Sequence, residues 1–127
     1  MSNGKSGLDL RRSLVGAEYV DRAMARTDPF NKPFQDYLNA HVWDAVWSRD
    51  GLSLKMRSLV VVSCLIALSR PKELILHVRA ALDNGWTLEE LREVILQTAV
   101  YCGAPAAVEA MRVINENFAD KIGELSK

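Results

Sequence analysis

Cysteine and histidine are scarce in this chain of 127 residues, with two of each. Cys64 and Cys102 stand far apart and form no CxxC pair, so neither a disulfide framework nor a zinc ribbon is expected, and each reads as a small buried hydrophobe. Charge of one sign is also missing. Sixteen Lys and Arg balance sixteen Asp and Glu, which removes the electrostatic footprint of a nucleic-acid partner or a polybasic membrane contact. The longest mostly apolar run, residues 59–68, is about half of the ~20 residues needed to span a bilayer. Residues 1–7 contain no apolar targeting segment and read as a flexible N-terminus ahead of a cytoplasmic protein. Pattern for a strand is lacking as well, since no segment alternates apolar and polar residues.

What is present is helical periodicity. Leu10, Leu14, Ala17, Val20 and Met24 recur at steps of three or four, as do Phe34, Leu38, Val42 and Ala45. Asp28-Pro29, Lys32-Pro33 and Asp50-Gly51 interrupt the pattern and mark loops. Ser53 is placed to cap a third helix reaching Arg70, whose central turns are apolar on all sides, as in a helix enclosed by others. Pro71 opens a fourth helix ending at Asn84-Gly85, and Thr87-Leu88-Glu89-Glu90 has the form of a capping box opening a fifth. Its inner face is Leu88, Leu91, Ile95 and Ala99. A sixth, after Gly103-Ala104-Pro105, carries Ala107, Met111, Ile114 and Phe118. The expectation is an all-α, single-domain bundle of about six helices over 1–127. With 49% hydrophobic residues such a domain can bury a core, and a chain this short with so apolar a helix is suited to oligomerise.

Candidate chemistry concentrates around the fourth helix. Glu73 and His77 lie four apart on one helical face and offer an acid and a base, His77 as proton donor or oxyanion stabiliser and Glu73 as the group that sets its tautomer or shares its proton. A plainer reading leaves Glu73 at a helix N-terminus and His77 as a hydrogen-bonded structural residue. No metal is expected, because two ligands would need His41 from another helix as a third. Arg57, Arg70 and Arg79 are suited to grip carboxylates through paired N–H groups, with Arg57 and Arg70 the stronger candidates; the alternative is surface pairing. Ser58 can donate a hydrogen bond to a substrate, or satisfy itself on its own helix. Trp47, four residues from Trp43, can wall a pocket or a subunit contact, or pack in the core. The small residues of Gly103-Ala104-Pro105-Ala106-Ala107, beside free helix N–H groups, suit a carboxylate or a tight helix turn equally.

The order of four segments, Trp47 through Leu59, Glu73 through His77, Asn84-Gly85-Trp86-Thr87 and Tyr101 through Ala107, resembles the carboxymuconolactone decarboxylase family over nearly the whole domain. Its thiol branch, the alkylhydroperoxidase D-like proteins, carries Cys-x-x-Cys-x-x-x-His with a glutamate nineteen residues before the histidine. With His77 in the histidine position, Arg70 and Glu73 occupy the cysteine positions and Ser58 that of the glutamate. Without a thiol pair there is no dithiol cycle, so the resemblance implies the decarboxylase branch rather than a peroxidase. It further implies an alkylhydroperoxidase D-like fold, a hexamer or trimer, and loss of CO2 from 4-carboxymuconolactone to give the enol-lactone of 3-oxoadipate in protocatechuate breakdown. No cofactor is expected, since the anion left by CO2 is conjugated to the lactone carbonyl. A thiol oxidoreductase and a non-catalytic helical oligomer that binds a small acid remain as alternatives.

Overall fold

The computed structural model describes residues 6–125 and, among them, α-helices and one π-helical stretch with no strand. The chain divides into two compact units, Met1–Arg57 and Ser58–Lys127.

In the first unit, α1 (Gly7–Val15) packs on α2 (Ala17–Ala25) and on the π-helical segment Leu38–Trp47, which continues directly from α3 (Lys32–Tyr37). One helix was expected across Leu10 to Met24, but Gly16, at φ 111°, divides it, in a left-handed region open to glycine and costly for other residues. Ser6 caps α1 by accepting the Asp9 N–H at 3.1 Å, so the expected flexible segment is corrected at residues 6 and 7; residues 1–5 lie outside the described residues. Gly7 donates its N–H to the Asp44 carboxylate, and a Cβ at this position would collide with Asp44. Leu10, Leu14, Val20, Trp43 and Trp47 are buried.

The second unit is organised around α7 (Ala104–Asn117), against which α5 (Pro71–Asp83), α6 (Leu88–Cys102) and α8 (Ala119–Leu125) all pack. Its core runs through Val62, Ile66, Leu74, Val78, Leu91, Ile95, Ala110, Val113 and Phe118. Thr87 and Glu90 form the expected capping box, each side chain accepting the other's backbone N–H at 3.1 and 3.0 Å.

Two expectations about α4 (Leu54–Ala67) need correction. The helix stops at Ala67 instead of reaching Arg70: Ser69 takes φ 53°, its N–H donates to the Ile66 carbonyl at 3.1 Å, and Arg70 N–H donates to Leu65 at 3.0 Å. That is a Schellman closure with serine where glycine is usual. Nor is α4 enclosed on all sides, because Val60 is 51% exposed and Cys64 is exposed. Cys102 is exposed as well, so burial fails for both thiols.

Candidate active site

Pro71 at the start of α5 supplies a preset φ and gives up an N–H that would have no partner there, which fixes where the following turns point. Leu74, Val78 and Ala81 then face the core, and His77 sits half-buried between Leu74 and Ala81 in sequence. Its Nδ1 is buried without a hydrogen-bond partner. Burial pushes the imidazole below its ordinary pKa, and the negative charge of Glu73 one turn earlier pulls partly against it. Glu73 itself is exposed and acts on the ring through its field.

Ser58 is fully buried, and its hydroxyl has no partner. Other helical hydroxyls of this unit take the usual route: Ser63 donates to the Leu59 carbonyl at 2.9 Å and Thr98 to Val94 at 2.8 Å. Ser58 does not, so the self-satisfied reading of this residue is not what the structure holds. The second unit thus keeps two buried polar atoms, Ser58 Oγ and His77 Nδ1, uncommitted. Native proteins rarely leave such groups unpaired, so each is open to a water or to a ligand's polar atom.

The remaining candidates are placed differently. Arg57 donates from Nη2 to the Arg49 carbonyl at 3.1 Å while its buried Nε has no partner. Arg70 is exposed and donates from Nη1 to the Leu68 carbonyl at 3.1 Å. Arg79 lies over the Phe118 ring at 5.4 Å. Trp47 stacks on Trp43, ring centres 4.8 Å apart, and both are buried, which is the packing role open to them from their spacing. His41 lies 4.9 Å from the Tyr37 ring on the exposed side of its segment. Among the described residues no three His, Cys, Asp or Glu side chains are grouped to hold a metal ion. No helix among them is long and apolar enough to cross a membrane.

A groove of about 620 Å3 runs along α6 and α7, lined by residues that include Leu96, Ala99, Ala104, Val108 and Met111. It holds none of the proton-handling candidates named above, and Arg112, Asn115 and Glu116 border its mostly apolar wall.

Residues 32–116 match the model of the carboxymuconolactone decarboxylase family, two thirds of the chain. The chain belongs to that family. It is 41% identical over 116 residues to a 4-carboxymuconolactone decarboxylase of Acinetobacter baylyi, covering 91% of this chain and 87% of the relative. It is 40% identical over 116 residues to a nitrosuccinic acid decarboxylase of Metarhizium robertsii, covering 91% of this chain and 81% of that one. An uncharacterized 15.0 kDa protein of Paracoccus denitrificans shares 32% identity over 78 residues, 59% of this chain and 58% of its own length. Both relatives named for an activity are carboxy-lyases, so decarboxylation is a chemistry of the carboxymuconolactone decarboxylase family, and the all-α architecture found here is the one the family resemblance implied. Arg11, a charged residue that the structure buries in the first unit, is not singled out by the sequence, since no local pattern marks it.

Proposed function

We propose that this protein decarboxylates a small carboxylic acid whose own electron sink receives the bonding pair, with 4-carboxymuconolactone the substrate and the enol-lactone of 3-oxoadipate the product. The observation that carries this reading is the 41% identity to a 4-carboxymuconolactone decarboxylase across nine tenths of the chain. The C–C bond to CO2 breaks, its electron pair moves through the C=C bond onto the lactone carbonyl, and a proton then returns to carbon. The second relative's substrate fits the same demand, since a nitro group also accepts such a pair. No cofactor enters this scheme, because the substrate supplies the sink.

His77 is the group assigned to the developing oxyanion. A pKa held below the ordinary imidazole value keeps the ring neutral at pH 7, so it serves as a hydrogen-bond donor to the developing oxyanion at neutral pH. Glu73 is a positioning residue whose field tunes His77. Ser58, Arg57 and Arg70 are assigned to the substrate's oxygens, with the open Ser58 Oγ and Arg57 Nε as the donors that favour the first two. Trp47 contributes by packing on Trp43 and not through a polar atom. The family match spans residues of both units, which supports reading 1–127 as one domain, in a cytoplasmic enzyme.

A homo-oligomer, trimer or hexamer, belongs to the same reading. Its support is the apolar exposure of the second unit: Val60 51%, Leu96 52%, Val100 78% and Val108 66%.

The test is CO2 release from 4-carboxymuconolactone, measured without added metal or thiol, for the wild-type protein and His77→Ala. A fall of ~100-fold or more is expected, the lower range for a lost proton-handling group. Turnover that survives the substitution moves the proton chemistry to another residue, and no turnover by the wild-type protein sinks the substrate assignment. Nitrosuccinic acid as a second substrate then decides whether this chain follows the other relative.

A further inference from the structure

Two neighbouring arginines of α1 are solved in opposite ways. Arg12, partly exposed, donates from Nη2 to the Asp21 carboxylate at 2.9 Å. Arg11, only 8% exposed, donates from Nη1 to two neutral oxygens, Gln35 Oε1 at 3.2 Å and Asn39 Oδ1 at 3.1 Å. Ion pairs normally go the other way, since the buried cation has the greater need of a counter-charge.

Among the described residues no carboxylate acts on Arg11. Burial pushes its guanidinium below the ordinary value, and the ionisable group that pulls it back is the Tyr19 phenol. Residues 1–5 and 126–127 contain no Asp or Glu, so no acidic side chain is hidden there. The amides beside it are donor-rich too. With Oδ1 turned to Arg11, Asn39 spends an Nδ2 hydrogen on the Met24 thioether at 3.9 Å, a weak acceptor. Gln35 and Asn39 lie four residues apart and meet the same guanidinium nitrogen, so the cluster draws on α1, α3 and the π-helical segment and is held from three sides.

We propose that Arg11, with Gln35 and Asn39, forms a carboxylate-binding site in the first unit, occupied by a small free carboxylic acid. A guanidinium stays charged at any physiological pH, so it cannot escape its burial by losing a proton as a lysine or histidine does. A carboxylate supplies the missing charge, two acceptor oxygens for a planar donor edge, and a better partner than sulfur for the Asn39 amide. The proposal does not depend on which acid the enzyme decarboxylates.

The test is thermal unfolding of the full chain at constant ionic strength in chloride buffer, titrated with sodium succinate and, separately, sodium acetate. The wild-type Tm is expected to rise saturably, by about 5–10 °C at ~100 times Kd of the tighter acid. His77→Ala keeps that rise. Arg11→Met abolishes it. Asn39→Asp, which sets a carboxylate 3.1 Å from Nη1, is expected to raise Tm in chloride alone and to lose the response to added acid. The inference is overturned by a wild-type Tm that ignores both acids, by a rise that persists in Arg11→Met and Asn39→Asp, or by one lost in His77→Ala. It is equally overturned by a Tm that climbs with protein concentration and not with acid, which assigns the counter-charge to a second copy. Should Arg11→Met fail to fold, Asn39→Asp decides.

Discussion

His77 and Ser58 show how a side chain can be buried without being committed, and each yields a measurable consequence. Neutral His77 is the working form in the proposed reaction, so kcat/KM is expected to fall on acidification with a midpoint below the ordinary imidazole value of about 6.5. Glu73→Gln removes the charge that raises the ring's pKa, and a lower midpoint is the expected outcome. An acid limb unchanged by Glu73→Gln and still present in His77→Ala would assign it to another group. Stability follows the same sign: the unfolded chain binds the proton more readily than the buried ring, so stability is lost as pH falls from about 6.5 toward the folded-state pKa. His77→Gln should flatten that part of the stability curve. For Ser58→Ala the two readouts separate. The hydroxyl has no protein hydrogen-bond partner, so urea unfolding should be unchanged or slightly more resistant, while KM rises ~3–10-fold for the loss of one neutral hydrogen bond to substrate. Loss of stability with KM unchanged would make Ser58 a packing residue.

At the scale of elements, two helix ends with one geometry were unequally legible. After α5, Gly85 at φ 100° donates to the Leu82 carbonyl at 3.2 Å and Trp86 N–H to Ala81 at 3.0 Å, and the Asn84-Gly85 signal announced it. The end of α4 repeats those bonds around Ser69 at φ 53°, where no glycine gave warning, and the helix was expected to run on to Arg70. Backbone hydrogen bonding and the following Pro71 impose the left-handed residue there against its own preference. Ser69→Gly is therefore expected to stabilise the protein by about 0.5–1 kcal/mol, and Gly85→Ala to destabilise it by about 1 kcal/mol, both read from urea midpoints. Equal effects of one sign would refute this account of the turns. Gly16 carried the opposite lesson, since its place inside an apolar periodicity hid a true break between α1 and α2.

For the whole molecule, the expectation that failed most plainly concerned α4. Its apolar sequence measured how much surface seeks cover, and the single chain leaves Val60 and Cys64 uncovered. Exposed apolar residues on α6 and α7 add to that surface. Val60→Lys should then lower the molar mass measured by light scattering toward that of one 14.2 kDa chain while leaving helical content intact. A wild-type protein already monomeric at micromolar concentration would remove the oligomer from the reading.

The sequence by itself determined the helical class, the starts of α4 to α7 and the family, because periodicity, proline, capping residues and segment order are local properties of the chain. It also brought Glu73 and His77 onto one face, since four residues span little more than a turn. Only the tertiary structure decided which polar atoms are buried and left open at Ser58, His77 and Arg57, and which arginine of an adjacent pair loses its counter-charge. Burial and hydrogen-bond partners are set by segments distant in sequence, such as α1 meeting Gln35 and Asn39, and no local pattern encodes them.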